Sequence, residues 1–155
     1  MHYESLLNEA NKYLYIYEKQ LPENIKGLQG ENVIWINKNI STRAEKLSTL
    51  VEEMGHYHTS HGHILDQSDI RNRKQELRAR QWGYEKLFPL ETIIQAHKAG
   101  IKNKYELAEF IGVTEKFIEE SLKRYIEKFG VSVHYKKFTI CFEPLGVVEW
   151  FEDSF

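Results

Sequence analysis

The chain has a single cysteine among its 155 residues, Cys141, so no internal disulfide can form. That cysteine lies in an apolar, strand-like run and reads as a small core residue. No apolar stretch approaches the roughly 20 residues that a membrane-spanning helix needs. The opening MHYESLLNEANKYLYIY lacks the basic flank and unbroken apolar block of a secretory signal. Charge of one sign is lacking too. Against 21 Lys and Arg stand 23 Asp and Glu, a net charge of −2, which gives no electrostatic reason for a polyanionic partner. Internal repeats and low-complexity tracts are absent. A hydrophobic share of 41% with 13% aromatics is that of a globular chain able to bury a core. These absences predict a soluble cytoplasmic protein, with neither a membrane nor direct nucleic-acid binding.

What is present is a mixture of two periodicities. Leu6, Leu7, Ala10, Tyr13, Leu14 and Tyr17 recur at helical spacing, which predicts a helix over Tyr3–Lys19 ended by Leu21-Pro22. Gly27 and Gly30 mark a turn before the short buried strand Val33-Ile34-Trp35-Ile36, so this region reads as a hairpin or strand pair. A helix then starts at Ser41-Thr42, where Thr42 and Glu45 have capping-box spacing, with Ala44, Leu47, Leu50, Val51 and Met54 as its apolar stripe. Residues 60–74 are polar and glycine-containing and read as an irregular loop. A further helix over Arg73–Phe88 stops at Pro89. Leu90–Ala99 is helical with Gly100 as its C-cap, and two more helices meet at Gly112-Val113, with Thr114 capping the second. Two strands close the chain near Val131–Tyr135 and Phe138–Phe142, with Lys136-Lys137 at the turn. The fold class is therefore α+β. Residues 1–89 would form a core, 90–130 a helical segment, and 131–155 a hairpin and tail packed on the core as one unit.

The chemistry concentrates in LVEEMGHYHTSHG. Glu52 and His56 are four apart, on one helix face, and can grip one metal ion; Glu53 stands where the general base sits in the HExxH zinc-hydrolase arrangement. All three fall opposite the apolar stripe. The plainer interpretation is a solvated charged face, and a metal site requires another element to cover it and supply a third ligand. Glu76 is the best candidate for that ligand. It shares a stripe with Ala79, Gly83 and Leu87, and the two small residues would let another backbone approach. Glu52, His56 and Glu76 would leave a fourth position open, with Glu53 as base toward the attacking water. Two carboxylate ligands make a less electrophilic centre than two imidazoles would, and one more tolerant of ions that favour oxygen, so zinc is expected, with manganese or another divalent ion as the alternative. His58 points about 200° away from His56 around the helix. His61 and His63 read as loop histidines, although the local His-rich tract could also bind a transition metal or lend a ligand.

These stretches, with the GLQGENVIWIN hairpin, the EKLSTLVEEMGHYHTS helix, QELRARQWGYEKLFP and YELAEFIGVTEKFIEESLKRY, resemble the ImmA/IrrE family of zinc-dependent metallo-endopeptidases of prophages and mobile elements. That family's usual motif is HExxH with a downstream Glu ligand. Here Glu53, His56 and Glu76 match, and Glu52 replaces the first His. The resemblance implies a zincin-like helix pair, a small β-sheet and a helix-turn-helix-like portion. It also implies an anti-repressor role, in which a helix-turn-helix repressor encoded nearby is cleaved.

Two other readings belong to different classes. Glu106–Arg124 has the layout of a helix-turn-helix DNA-binding regulator. Its second helix, however, sets Glu115, Glu119, Glu120 and Glu127 against Lys116, Lys123, Arg124 and Lys128, with no basic footprint. Leu107, Phe110, Ile111, Phe117, Ile118, Leu122 and Tyr125 read more simply as core. The other alternative is a catalytically silent protein that binds the repressor without cutting it.

Overall fold

The computed structural model describes residues 2–59 and 70–151, and its elements alternate between helices and two small sheets. Helix α1 (Tyr3–Ala10) leads into strand β1 (Tyr15–Lys19), followed by β2 (Gly27–Gly30) and β3 (Val33–Asn37). Helices α2 (Arg43–Thr59), α3 (Ile70–Leu87), α4 (Leu90–Lys98), α5 (Lys104–Ile111) and α6 (Glu115–Phe129) come next. The chain ends in β4 (Ser132–Tyr135), β5 (Phe138–Phe142) and β6 (Leu145–Glu149). This is an α+β fold, as the sequence predicts.

The first sheet has the order β1-β3-β2, with β3 parallel to β1 and antiparallel to β2. Its centre is the run Val33-Ile34-Trp35-Ile36. Ile34 and Ile36 are wholly buried, packing with Leu47, Leu50 and Met54 in the core. Burying each such aliphatic side chain is worth about 1.5–3 kcal/mol. The second sheet, β4-β5-β6, is antiparallel throughout and separate from the first, so the closing strands do not extend the β3 sheet. Its buried Phe138, Ile140 and Phe142 join the same core cluster as α4 and α6.

Several expectations are corrected here. The first helix stops at Ala10, and residues 15–19 form a strand instead. Tyr15-Ile16-Tyr17 is an aromatic and β-branched run with period-two alternation. Pairing beside β3 wins over helical spacing there, and leaves Tyr13, Tyr15 and Tyr17 exposed. Gly27 and Gly30 bound β2 rather than its turn; the left-handed position between β2 and β3 is Asn32, at φ 58°. The helix expected from Arg73 already begins at Ile70, within the span read as a loop. A third C-terminal strand, β6, was not expected. Cys141 is only half-buried, because it alternates with the inward-facing Ile140 and Phe142 on β5. Phe110, assigned to the core, is 44% exposed on α5.

The caps follow the sequence more closely. The Glu45 amide donates to Thr42 Oγ1 at 3.2 Å ahead of α2, and the Phe117 amide donates to Thr114 Oγ1 at 3.1 Å ahead of α6. Gly112, at φ 87°, makes the turn between α5 and α6.

Candidate metal centre

The most extensive packing in the molecule is between α2 and α3. Small residues make it possible. A Cβ built on Gly55 of α2 would run into the Ala79 carbonyl of α3, with the carbonyl carbon at 2.9 Å. One turn along α3, the same construction on Gly83 meets Val51 Cγ1 at 3.3 Å. Backbone therefore lies against backbone, and α3 covers much of the polar face of α2, with Glu52 left partly exposed. Strand β2 covers it from another side. At Gly27, a Cβ would sit 3.0 Å from Glu53 Cγ, so the missing side chain leaves room for that carboxyl.

This packing brings Glu52, His56 and Glu76 together, with one potential ligand atom from each lying within 4.8 Å of the others. His56 Nε2 is 3.3 Å from Glu76 Oε2, and both side chains are largely buried. Two ligands on a tetrahedral zinc, with bonds near 2.0–2.1 Å, are separated by about 3.3 Å. One imidazole and two carboxylates on rigid helices thus fit a divalent ion, and the His56–Glu76 separation already matches. Around these groups, burial raises the Glu53 carboxyl to about 8, reinforced by the negative charges of Glu52 and Glu76. Burial also raises Glu52, although Arg80 opposes that shift. Both shifts favour the protonated carboxyl at Glu52 and Glu53, and a cation beside them would reverse that preference.

The family model for the IrrE N-terminal-like domain, a peptidase family, covers residues 3–123. The chain belongs to that family. It is accordingly a metallopeptidase by family, and the fit of its donor set supports a divalent ion at this position. The match runs from α1 through most of α6 and stops before the second sheet. No curated protein matches the chain.

Of the histidines near the motif, His58 stays outside the cluster, as its angle on the helix predicts. Its ring stacks on Trp82 with centroids 4.5 Å apart, and its Nε2 shares a 2.9 Å hydrogen bond with the Tyr13 hydroxyl. His61 and His63 lie outside the described residues. Two contributors escaped the sequence reading. Gly55 lies inside the motif and carries the closest helix contact. Arg80, four residues after Glu76, donates from Nε to Glu76 Oε1 at 3.1 Å and faces Glu52 Oε1 at 3.6 Å. The Glu76–Arg80 spacing was a visible signal for a pair on one helix face, but its reach to α2 was not.

Beside Glu52 a cavity of about 180 Å³ opens between α2, α3 and the start of α6, lined by Val51, Tyr84, Phe117, Arg80, Lys116 and Glu120 among others. The start of α6, with its cap Thr114, thus contributes to the wall of this cavity. Along α6, Phe117, Ile118, Leu122 and Tyr125 are buried, and Arg124 donates to Gln81 Oε1 of α3 at 2.8 and 3.0 Å. No helix among the described residues is long and apolar enough to cross a membrane.

Proposed function

We propose that this chain is a zinc-dependent endopeptidase that cuts a helix-turn-helix repressor encoded near it, acting as an anti-repressor. The observation that carries the reading is the convergence of Glu52, His56 and Glu76 across the α2–α3 contact, with Glu53 beside them on α2. Those three residues would hold the ion, and Glu53 is kept for the proton. When bound, zinc (or manganese, which the two carboxylates also suit) supplies a Lewis acid for a carbonyl or water oxygen.

The chain's own groups do the rest. Glu53 takes the proton from the water as it attacks the scissile carbonyl, then delivers it to the departing amine, so the amide bond breaks with no net proton change. Its side chain is partly buried against Gly27 of β2. The cavity beside Glu52 offers space for a substrate side chain between apolar Val51 and Phe117 and charged Arg80 and Lys116. Tyr84 and Phe117, edge to face at 5.3 Å, hold its floor together. Direct DNA binding is not part of this reading. The buried face of α6 packs inward, and its exposed face carries charges of both signs.

The test is incubation of the purified protein with the repressor encoded by the neighbouring gene, with and without zinc or manganese. Glu53→Gln should slow cleavage by about 100- to 10,000-fold, the usual worth of a positioned general base. Binding of the repressor without cleavage, equal for wild type and Glu53→Gln, would instead support a silent binding partner. A salt-sensitive shift of operator DNA by this chain alone would support the regulator.

A further inference from the structure

Glu52 makes the charge of this site unusual. Glu52, Glu53 and Glu76 together carry three negative charges when ionised, and a divalent ion offsets two of them. With a histidine at the first position the ion and two carboxylates would balance. Here one negative charge is left over, and four ligand-side carboxylate oxygens are available in place of two. Oxygen-rich sets suit manganese and calcium, which take six or more oxygens and accept carboxylates with both oxygens. Zinc, in contrast, prefers four ligands that include imidazole.

One cation answers both features. Arg80 Nε donates to Glu76 Oε1 at 3.1 Å, while the other oxygen of Glu76, Oε2, faces His56 Nε2 at 3.3 Å. The same nitrogen lies 3.6 Å from Glu52 Oε1. A pair between Glu76 and Arg80 alone would be an ordinary spacing of four on α3. Reaching Glu52 on α2 is different, because the guanidinium then spans the two helices whose carboxylates would hold the ion. It engages one oxygen of Glu76, faces one of Glu52, and restores neutrality.

We propose that Arg80 sets the metal selectivity of this centre: by hydrogen-bonding one oxygen of Glu76 and pairing electrostatically with one of Glu52, it keeps a two-glutamate, one-histidine set at the low coordination number that zinc prefers. Arg80 is a positioning residue, acting through Glu52 and Glu76. The proposal rests on the assignment of these residues as ligands. It makes Arg80 the counterpart of the carboxylate at position 52.

The experiment is titration of metal-stripped protein with zinc and with manganese against a chromogenic chelator, for wild type and Arg80→Met. The side chain of Arg80 is 43% exposed, and methionine preserves much of its length, so folding should survive. The zinc-to-manganese affinity ratio should fall at least ten-fold in Arg80→Met. Arg80→Lys keeps the charge but loses the rigidly placed Nε–H that faces both carboxylates, so its ratio should fall at least three-fold; this variant carries the test if Arg80→Met does not fold. A general loss of positioning would weaken both ions by one factor. An unchanged ratio, whether both affinities move together or neither moves, overturns the proposal while leaving the metal centre intact. Wild type that binds neither ion overturns the ligand assignment and this proposal with it.

Discussion

At the scale of single residues, Gly55 and Gly83 do related work at different cost. A methyl on Gly55 meets the Ala79 carbonyl, which is backbone and cannot give way without parting the helices. Gly55→Ala should therefore destabilise by about 2–3 kcal/mol in urea unfolding, at the upper end of overpacking effects, and weaken metal binding with it. A methyl on Gly83 meets only the end of Val51, at 3.3 Å. Alanine there also gains about 1 kcal/mol of helix propensity, so Gly83→Ala should change stability by less than about 1 kcal/mol. Much of the site was legible at this scale. The grouping of Glu52 with His56 follows from spacing, and that of Glu76 from its stripe of small residues. Gly55 was not, because a glycine inside the Glu-Glu-x-x-His motif gives no sign of which neighbour it admits. Arg80 was not, because its partner Glu52 lies on another helix.

Between elements, the stability of the first sheet depends on how β1 is tied to its neighbours. Lys46 Nζ on α2 donates to Glu18 Oε1 at 2.9 Å, and the Tyr3 hydroxyl of α1 donates to the same oxygen at 3.1 Å. The Lys46 hydrogen bond, chiefly, holds the Glu18 carboxyl below its ordinary 4.5, against the opposing effect of burial. A lowered carboxyl stabilises the fold above its unfolded value, and that contribution is lost as pH falls through the folded value. Glu18→Gln should therefore cost under about 1 kcal/mol at neutral pH, since Glu18 is 41% exposed, and nothing once both states are protonated; denaturant midpoints across acidic pH would show the difference closing. The second sheet's neighbour α6 is held differently. The Tyr125 hydroxyl donates to the Phe88 carbonyl at 2.7 Å in the interior. Tyr125→Phe should cost about 1–3 kcal/mol by leaving that carbonyl unpaired, measured by urea unfolding.

The elements differ in how far the sequence foretold them. Helices α2 and α6 carry long periodic stripes and side-chain caps, and together with the shorter α4 and α5 they stand close to where periodicity puts them. Strand β1 was hidden because Tyr13, Leu14 and Tyr17 also fit a helical stripe, and only pairing with β3 decides between the two. Strand β6 was missed because Leu145-Gly146-Val147-Val148 is short and its partner is β5. Sheet membership is a non-local property, which local spacing does not encode.

For the whole molecule, the α2–α3 contact, built on small residues, creates a centre suited to one divalent ion. An ion that binds only the folded chain stabilises it, by about 2.7 kcal/mol at a free concentration one hundred times its Kd. Zinc should therefore raise the melting temperature and a chelator should lower it again. The decisive measurement is metal content of purified wild type, Glu52→Ala, His56→Ala, Glu76→Ala and Glu53→Gln. About one ion per chain is expected in wild type and in Glu53→Gln, with marked loss in each of the three ligand variants. Full occupancy in the Glu52→Ala and Glu76→Ala proteins would mean that these carboxylates do not hold the ion.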